Sequence, residues 1–246
     1  SVVLTKHDLA HSRRCVGQSR LESLRPRFDS RQTAGLLRDA LPMGIVMMLV
    51  SLTANIPRYF IEHHHGERDL GLYTAMAYLG IAGVTLVGAL GTSTSPRLAR
   101  HYHAADFHAF RRLIRRLLAL ATAAGAFGVL VAMAAGSEIL TLFYGAPYAE
   151  RTDVLIWLMA AAALGYVASV FGVAATSARL FKAQAPLFAG VAAVVLVGCI
   201  VLVPRYGLAG AAWSSCIAML AQVAGSFALY RLALRRRFSR TTEVTA

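Results

Sequence analysis

Ser51, Asn55, Arg58 and Glu62 follow one another at steps of four, three and four residues. That spacing puts them on one face of an α-helix. The stretch that holds them is otherwise apolar. A guanidinium in such a place costs roughly 2.5–3.5 kcal/mol at the centre of a membrane-spanning helix, and less toward its ends. Two chemistries account for it. In one, the face is a water-filled wall and Arg58 is a cationic point for an anionic group. In the other, Arg58 snorkels to the interface and pairs with Glu62, four residues on. Pro57 has no N–H to give to the helix ladder, so a kink is expected beside the stripe.

A second polar series, Thr74, Tyr78, Thr85 and Thr92, is interleaved with Gly80, Gly83, Gly88 and Gly91. Hydroxyls in a membrane helix bond across to neighbours or line a cavity, while small residues permit close helix contact. Packing is the simpler reading of the glycines. Gly165, Ser169 and Gly172 suggest close packing of a later helix, and the remaining apolar segments read as scaffold. His63, His64 and His65 invite a metal, but three adjacent residues of a helix cannot all face one ion, so an outer loop is the simpler reading. His101, His103 and His108 stand among arginines and read as solvated. No nucleophile motif, phosphate-cradling glycine loop or paired intramembrane carboxylate is visible, so neither enzymatic chemistry, a cofactor nor a metal is expected.

The elements that carry these residues follow from composition. The chain has 246 residues, 57% hydrophobic and 15% charged. Soluble domains run at about 45–50% and about 25%. Hydrophobicity this high excludes intrinsic disorder, and Cys15, Cys199 and Cys216 are too few for a disulfide scaffold. Asp, Glu, Lys and Arg are missing from 40–57, 70–96, 117–137, 154–178, 183–204 and 206–230. About 20 helical residues cross a bilayer. The expectation is an all-α, polytopic membrane protein with spans near 41–61, 71–94, 117–136, 154–176, 186–203 and 208–230. The runs lack the alternation of a membrane barrel. Residues 138–150 are too short to span and read as an interfacial helix ended by Gly145 and Pro147.

The net charge of +13 is distributed by loop. Lys6 to Arg38, Arg97 to Arg116, Arg179 with Lys182, and Arg231 to Arg240 supply twenty-one basic residues on one side of the six spans. Only Arg58, Arg68, Arg151 and Arg205 fall on the other. The positive-inside rule then puts both termini in the cytoplasm. The same asymmetry makes the basic clusters topology signals that touch anionic headgroups, with no nucleic-acid partner expected. Residues 1–29 read as a cytoplasmic linker, 30–40 as a short amphipathic helix, 30–237 as the six-helix lobe and 238–246 as a cytoplasmic tail. No signal peptide is visible, and a start upstream of Ser1 is expected.

Four stretches carry a family resemblance: Asn55-Ile-Pro-Arg-Tyr-Phe-Ile-Glu62, Leu70-Gly-Leu-Tyr73, Phe143-Tyr-Gly-Ala-Pro-Tyr148, and Tyr206-Gly-Leu-Ala-Gly-Ala-Ala-Trp213. Together they resemble the polysaccharide-biosynthesis (O-antigen type) flippases, relatives of multidrug extruders and the lipid II flippase. The resemblance covers about residues 31–237. It implies the C-terminal six-helix lobe of a twelve-helix exporter in a bacterial inner membrane. The implied partners are the bilayer, a second six-helix lobe and an undecaprenyl-diphosphate-linked oligosaccharide. Family members line their central cavity with the first two helices of each lobe, which match the two polar-striped spans here. On that footing Arg58 pairs with the diphosphate, Ser51 and Asn55 bond sugar or phosphate oxygens, and Tyr59, Tyr73 or Tyr78 stack on sugar rings. Glu62 is a candidate for ion coupling. A cation-coupled drug extruder and a non-transporting scaffold for glycosyltransferases are the rival expectations.

Overall fold

A computed structural model describes residues 30–104, 106–177 and 181–244. They form helices α1 (Ser30–His65), α2 (Glu67–His103), α3 (Phe107–Tyr144), α4 (Ala146–Ala149), α5 (Thr152–Ser177) and α6 (Phe181–Val244). The described residues are all-helical apart from the reversals between these elements. Five segments are long and apolar enough to cross a membrane: Gly44–His65, Glu67–Tyr102, His108–Tyr144, Thr152–Ser177 and Ala183–Leu232. The chain divides into Ser1–Leu41 and Pro42–Ala246. Of the first unit, residues 30–41 are described and belong to α1; the linker expected at 1–29 lies outside the described residues. The site and its scaffold belong to the second unit.

The longest helix is not straight. Gly207 in α6 takes φ 58° and ψ −131°, which is not helical. That region of backbone space belongs almost wholly to glycine. On either side the chain doubles back. A Cβ built on Gly198 would lie 3.0 Å from the Cβ of Ser214, one on Gly210 would strike the Leu202 carbonyl, and one on Gly225 would strike a Leu187 methyl. These pairs are symmetric about residue 206, so 181–206 and 208–244 run antiparallel, as the first and second arms of a helical hairpin. The expected spans 186–203 and 208–230 correspond to those two arms.

α3 is likewise two helices joined at a kink. Ala135 is non-helical (φ −135°, ψ 18°), so residues 136–144 form a short helix beyond it, close to the short helix expected over 138–150. Gly145 then ends it, donating its N–H to the carbonyls of Leu140 and Thr141. At the other end, Asp106 caps α3 by accepting from the Ala109 N–H at 3.0 Å, which satisfies one of the donors a helix start leaves open.

α5 sits centrally and packs on α2, α3 and α6. Without water to expel, helices in a bilayer associate by close packing and inter-helix hydrogen bonds. Both occur here. A Cβ on Gly125 of α3 would stand 2.6 Å from the Ala163 Cβ of α5. Tyr166 of α5 donates its hydroxyl to the Gly80 carbonyl of α2 at 2.7 Å, and its ring fills the space that a side chain on Gly83 would need. The buried side chains fall into two clusters. One gathers Ile61, Tyr73, Leu140, Leu155, Val203 and Leu208. The other gathers Leu98, Tyr102, Phe110, Ile114, Ala174 and Leu234. Each cluster unites residues near alternate helix ends, as an up-and-down bundle requires.

Candidate functional site

Between the two clusters lies a cleft of about 410 Å³. Val50, Thr53, Ala54 and Pro57 of α1 form one wall, Val84 and Gly88 of α2 another, and α5 and both arms of α6 the rest. The lining is mainly apolar, with hydroxyl or amide groups from Thr53, Tyr166, Ser169, Ser215 and Gln222. Val50 and Val84 are 42% and 55% exposed, so the cleft is open between α1 and α2. Pro57 is fully buried and α1 continues past it.

Ser51, Asn55, Arg58 and Glu62 of α1 are not among the residues that line this cleft. Asn55 donates its Nδ2 to the Ser51 carbonyl at 2.8 Å, which orients the amide. Its Oδ1 then accepts from the Arg58 Nη1 at 3.3 Å. The guanidinium carbon of Arg58 lies 5.8 Å from the centre of the Tyr78 ring on α2, a cation–π distance. Arg58 Nε is buried with no hydrogen-bond partner. A buried donor without an acceptor costs about 1–3 kcal/mol, more when charged. Among the described residues no ion pair joins Arg58 to Glu62. Glu62 and Tyr59 are exposed, Tyr59 at 64%, and Ser51 is exposed too. The stripe therefore separates into a gathered pair, Asn55 and Arg58, which meets Tyr78 of α2, and two exposed residues on either side of it, Ser51 and Glu62.

Tyr73 has a different environment. It is buried, and its hydroxyl lies 3.3 Å from the Ser215 Oγ on the second arm of α6. Ser215 gives its own proton to the Ala211 carbonyl at 3.0 Å, so Tyr73 is the donor. The bond ties α2 to α6 at the cleft wall. The threonines of α2 bond locally instead: Thr85 to the Ile81 carbonyl and Thr92 to that of Ala89. Sequence reasoning missed Tyr166, Ser215, Gln184 and Gln222. Gln184 donates to the Gly172 carbonyl at 3.3 Å and to Thr176 at 3.1 Å. A lone Gln or Tyr in a charge-free run was the available signal, since such a group needs a partner in a bilayer.

The histidine triplet is the last turn of α1 rather than a loop; the His63 and His64 rings meet edge to face at 4.9 Å, and His65 turns away from them. His64 donates to the Phe60 carbonyl at 3.0 Å, whereas His65 reaches across to the Val203 carbonyl at 3.3 Å, beside the Gly207 turn. Among the described residues no group of His, Cys, Asp and Glu has the makings of a metal site.

Neither a family model nor a solved structure matches the chain. Among curated proteins it is similar to the capsular polysaccharide biosynthesis protein CapF of Staphylococcus aureus, with 22% identity over 192 residues. The match covers 78% of this chain and 48% of that protein, so the chain spans about half the length of the relative. This is a helical chain with membrane-spanning helices and a distant likeness to a polysaccharide biosynthesis protein.

Proposed function

We propose that the chain is one lobe of an exporter that moves a lipid-linked oligosaccharide across a bacterial inner membrane, and that it carries no enzymatic activity of its own. Arg58 carries the reading. A guanidinium is held within a membrane helix by a neutral amide and an aromatic face, with its buried Nε left unpaired. A residue placed so is suited to receive an anion, here the diphosphate of an undecaprenyl-linked sugar unit. Asn55 and Ser51 then offer groups to phosphate or sugar oxygens, while Tyr78 and the exposed Tyr59 offer rings. Tyr73 holds the wall through Ser215. A drug extruder for cations would place a carboxylate where Arg58 stands.

The physical task is to shield sugars and diphosphate from hydrocarbon while the lipid tail stays in the bilayer. Alternating access between two lobes accomplishes it. In this reading α6 crosses twice, the lobe has six crossings, and both termini face the cytoplasm. The second lobe lies against the open side of the cleft. Met47 and Met48 of α1 are 60% and 61% exposed, and they meet that lobe or the bilayer. The similarity to a polysaccharide biosynthesis protein supports the substrate class. Deleting the gene tests the reading. Surface polymer should be lost, and the lipid-linked intermediate should collect on the cytoplasmic leaflet. Unchanged polymer would refute it.

A further inference from the structure

A second polar site lies at the corner between α2 and α3, away from the cleft. A pocket of about 230 Å³ is lined by Arg97 and His101 of α2 and by Ala109, Arg112, Leu113 and Arg116 of α3. Arg97 and His101 are four residues apart, as are Arg112 and Arg116, so each pair shares a helix face. The two faces meet in one concavity. We infer that this pocket binds a phosphate-bearing anion, with Arg97, Arg112, Arg116 and His101 as its donors.

Three observations carry the inference. First, the convergence is specific. Arg111 and Arg115, on the same turns of α3, do not line the pocket. A topology signal requires positive charge in this loop and nothing about its arrangement. Second, the arginines are uncompensated. Among the described residues none of the three makes an ion pair. The nearby carboxylate of Asp106 stands 3.7 Å from His101 and already caps α3. Like charges in a concave site repel one another and focus a field that an anion relieves. Guanidinium groups suit phosphate oxygens because they bond them bidentately. Third, the depth is right. Arg97 directly follows the charge-free run 70–96, and Arg116 directly precedes the run 117–137. The pocket therefore lies where hydrocarbon gives way to headgroups. A lipid headgroup and a free phosphate or diphosphate share this chemistry. The site is independent of the transport reading.

The test uses the full chain in nanodiscs. One arm adds phosphatidate to phosphatidylcholine discs and counts retained phosphatidate by native mass spectrometry. The other titrates inorganic pyrophosphate into neutral discs by calorimetry. Retention in the first arm alone identifies a headgroup site, and binding in the second identifies a free-anion site. Arg112→Gln with Arg116→Gln should weaken the binding at least about tenfold, the loss expected for one charge-assisted contact. Arg111→Gln with Arg115→Gln removes the same charge and should change it less than about twofold. Arg97→Gln, on the other helix, provides the reading if the double variant fails to fold. Equal losses in both double variants, or no binding in either arm, would overturn the inference.

Discussion

Arg58 lies 5.8 Å from the centre of the Tyr78 ring and makes no ion pair with Glu62. Of the two chemistries open at the outset, snorkelling to a carboxylate partner is not the arrangement adopted. The guanidinium is turned along the membrane helix toward α2, and Asn55 steadies it at 3.3 Å. A cation over an aromatic face keeps much of its charge available, whereas a carboxylate would neutralise it.

That pairing gives the first prediction. Tyr78→Phe retains the ring and should leave export within about twofold, because the hydroxyl is not what faces the cation. Tyr78→Leu removes the ring. It should lower export roughly two- to thirtyfold, matching about 0.5–2 kcal/mol of cation–π stabilisation. Surface polymer at matched protein level is the readout.

The second prediction concerns the contact between α2 and α5. Tyr166→Phe deletes a 2.7 Å bond to the Gly80 carbonyl and should cost about 0.5–1.5 kcal/mol. Gly83→Ala sets a methyl group against the Tyr166 ring and should cost about 1–3 kcal/mol. Because both act on one contact, their effects should not add. Thermal unfolding in detergent measures all three variants.

A third prediction separates two glycines. Gly207→Ala forces a side chain into a left-handed backbone and should destabilise by about 1–3 kcal/mol. Gly128 lies within α3 with nothing within 4 Å of a built Cβ. Gly128→Ala should be neutral or stabilising by up to about 1 kcal/mol, since alanine favours a helix. The same unfolding assay compares them.

The fourth prediction tests the double crossing of α6. In a background lacking Cys15, Cys199 and Cys216, Arg205→Cys and Arg151→Cys should react with an impermeant maleimide on intact cells. His108→Cys should react only after permeabilisation. Arg205→Cys reacting only after permeabilisation would contradict the assigned hairpin topology.

The helical class and the apolar segments were legible because exclusion of charge over some twenty residues is a strong signal. So was the turn near residue 206, where Arg205 interrupts two long runs. The stripe on α1 was legible from its spacing alone. What Arg58 faces was not, because periodicity names a face and leaves its neighbour open. The same holds for Tyr73 with Ser215 and Tyr166 with Gly80, pairs 142 and 86 residues apart. The short helix before Gly145 was legible too, because Glu138 ends a charge-free run and Gly145 with Pro147 stops a helix; the kink itself falls at Ala135.

The most direct test of the account is Arg58→Gln in cells carrying the whole proposed exporter, with the leaflet of the lipid-linked intermediate measured. The account predicts normal membrane levels, export reduced about ten- to hundredfold for the loss of a charge-assisted contact, and intermediate held on the cytoplasmic leaflet. Arg58→Lys should recover part of the export, since it restores the charge without the bidentate fork. Normal export by Arg58→Gln at normal membrane level would contradict the assignment of Arg58 as the anion contact.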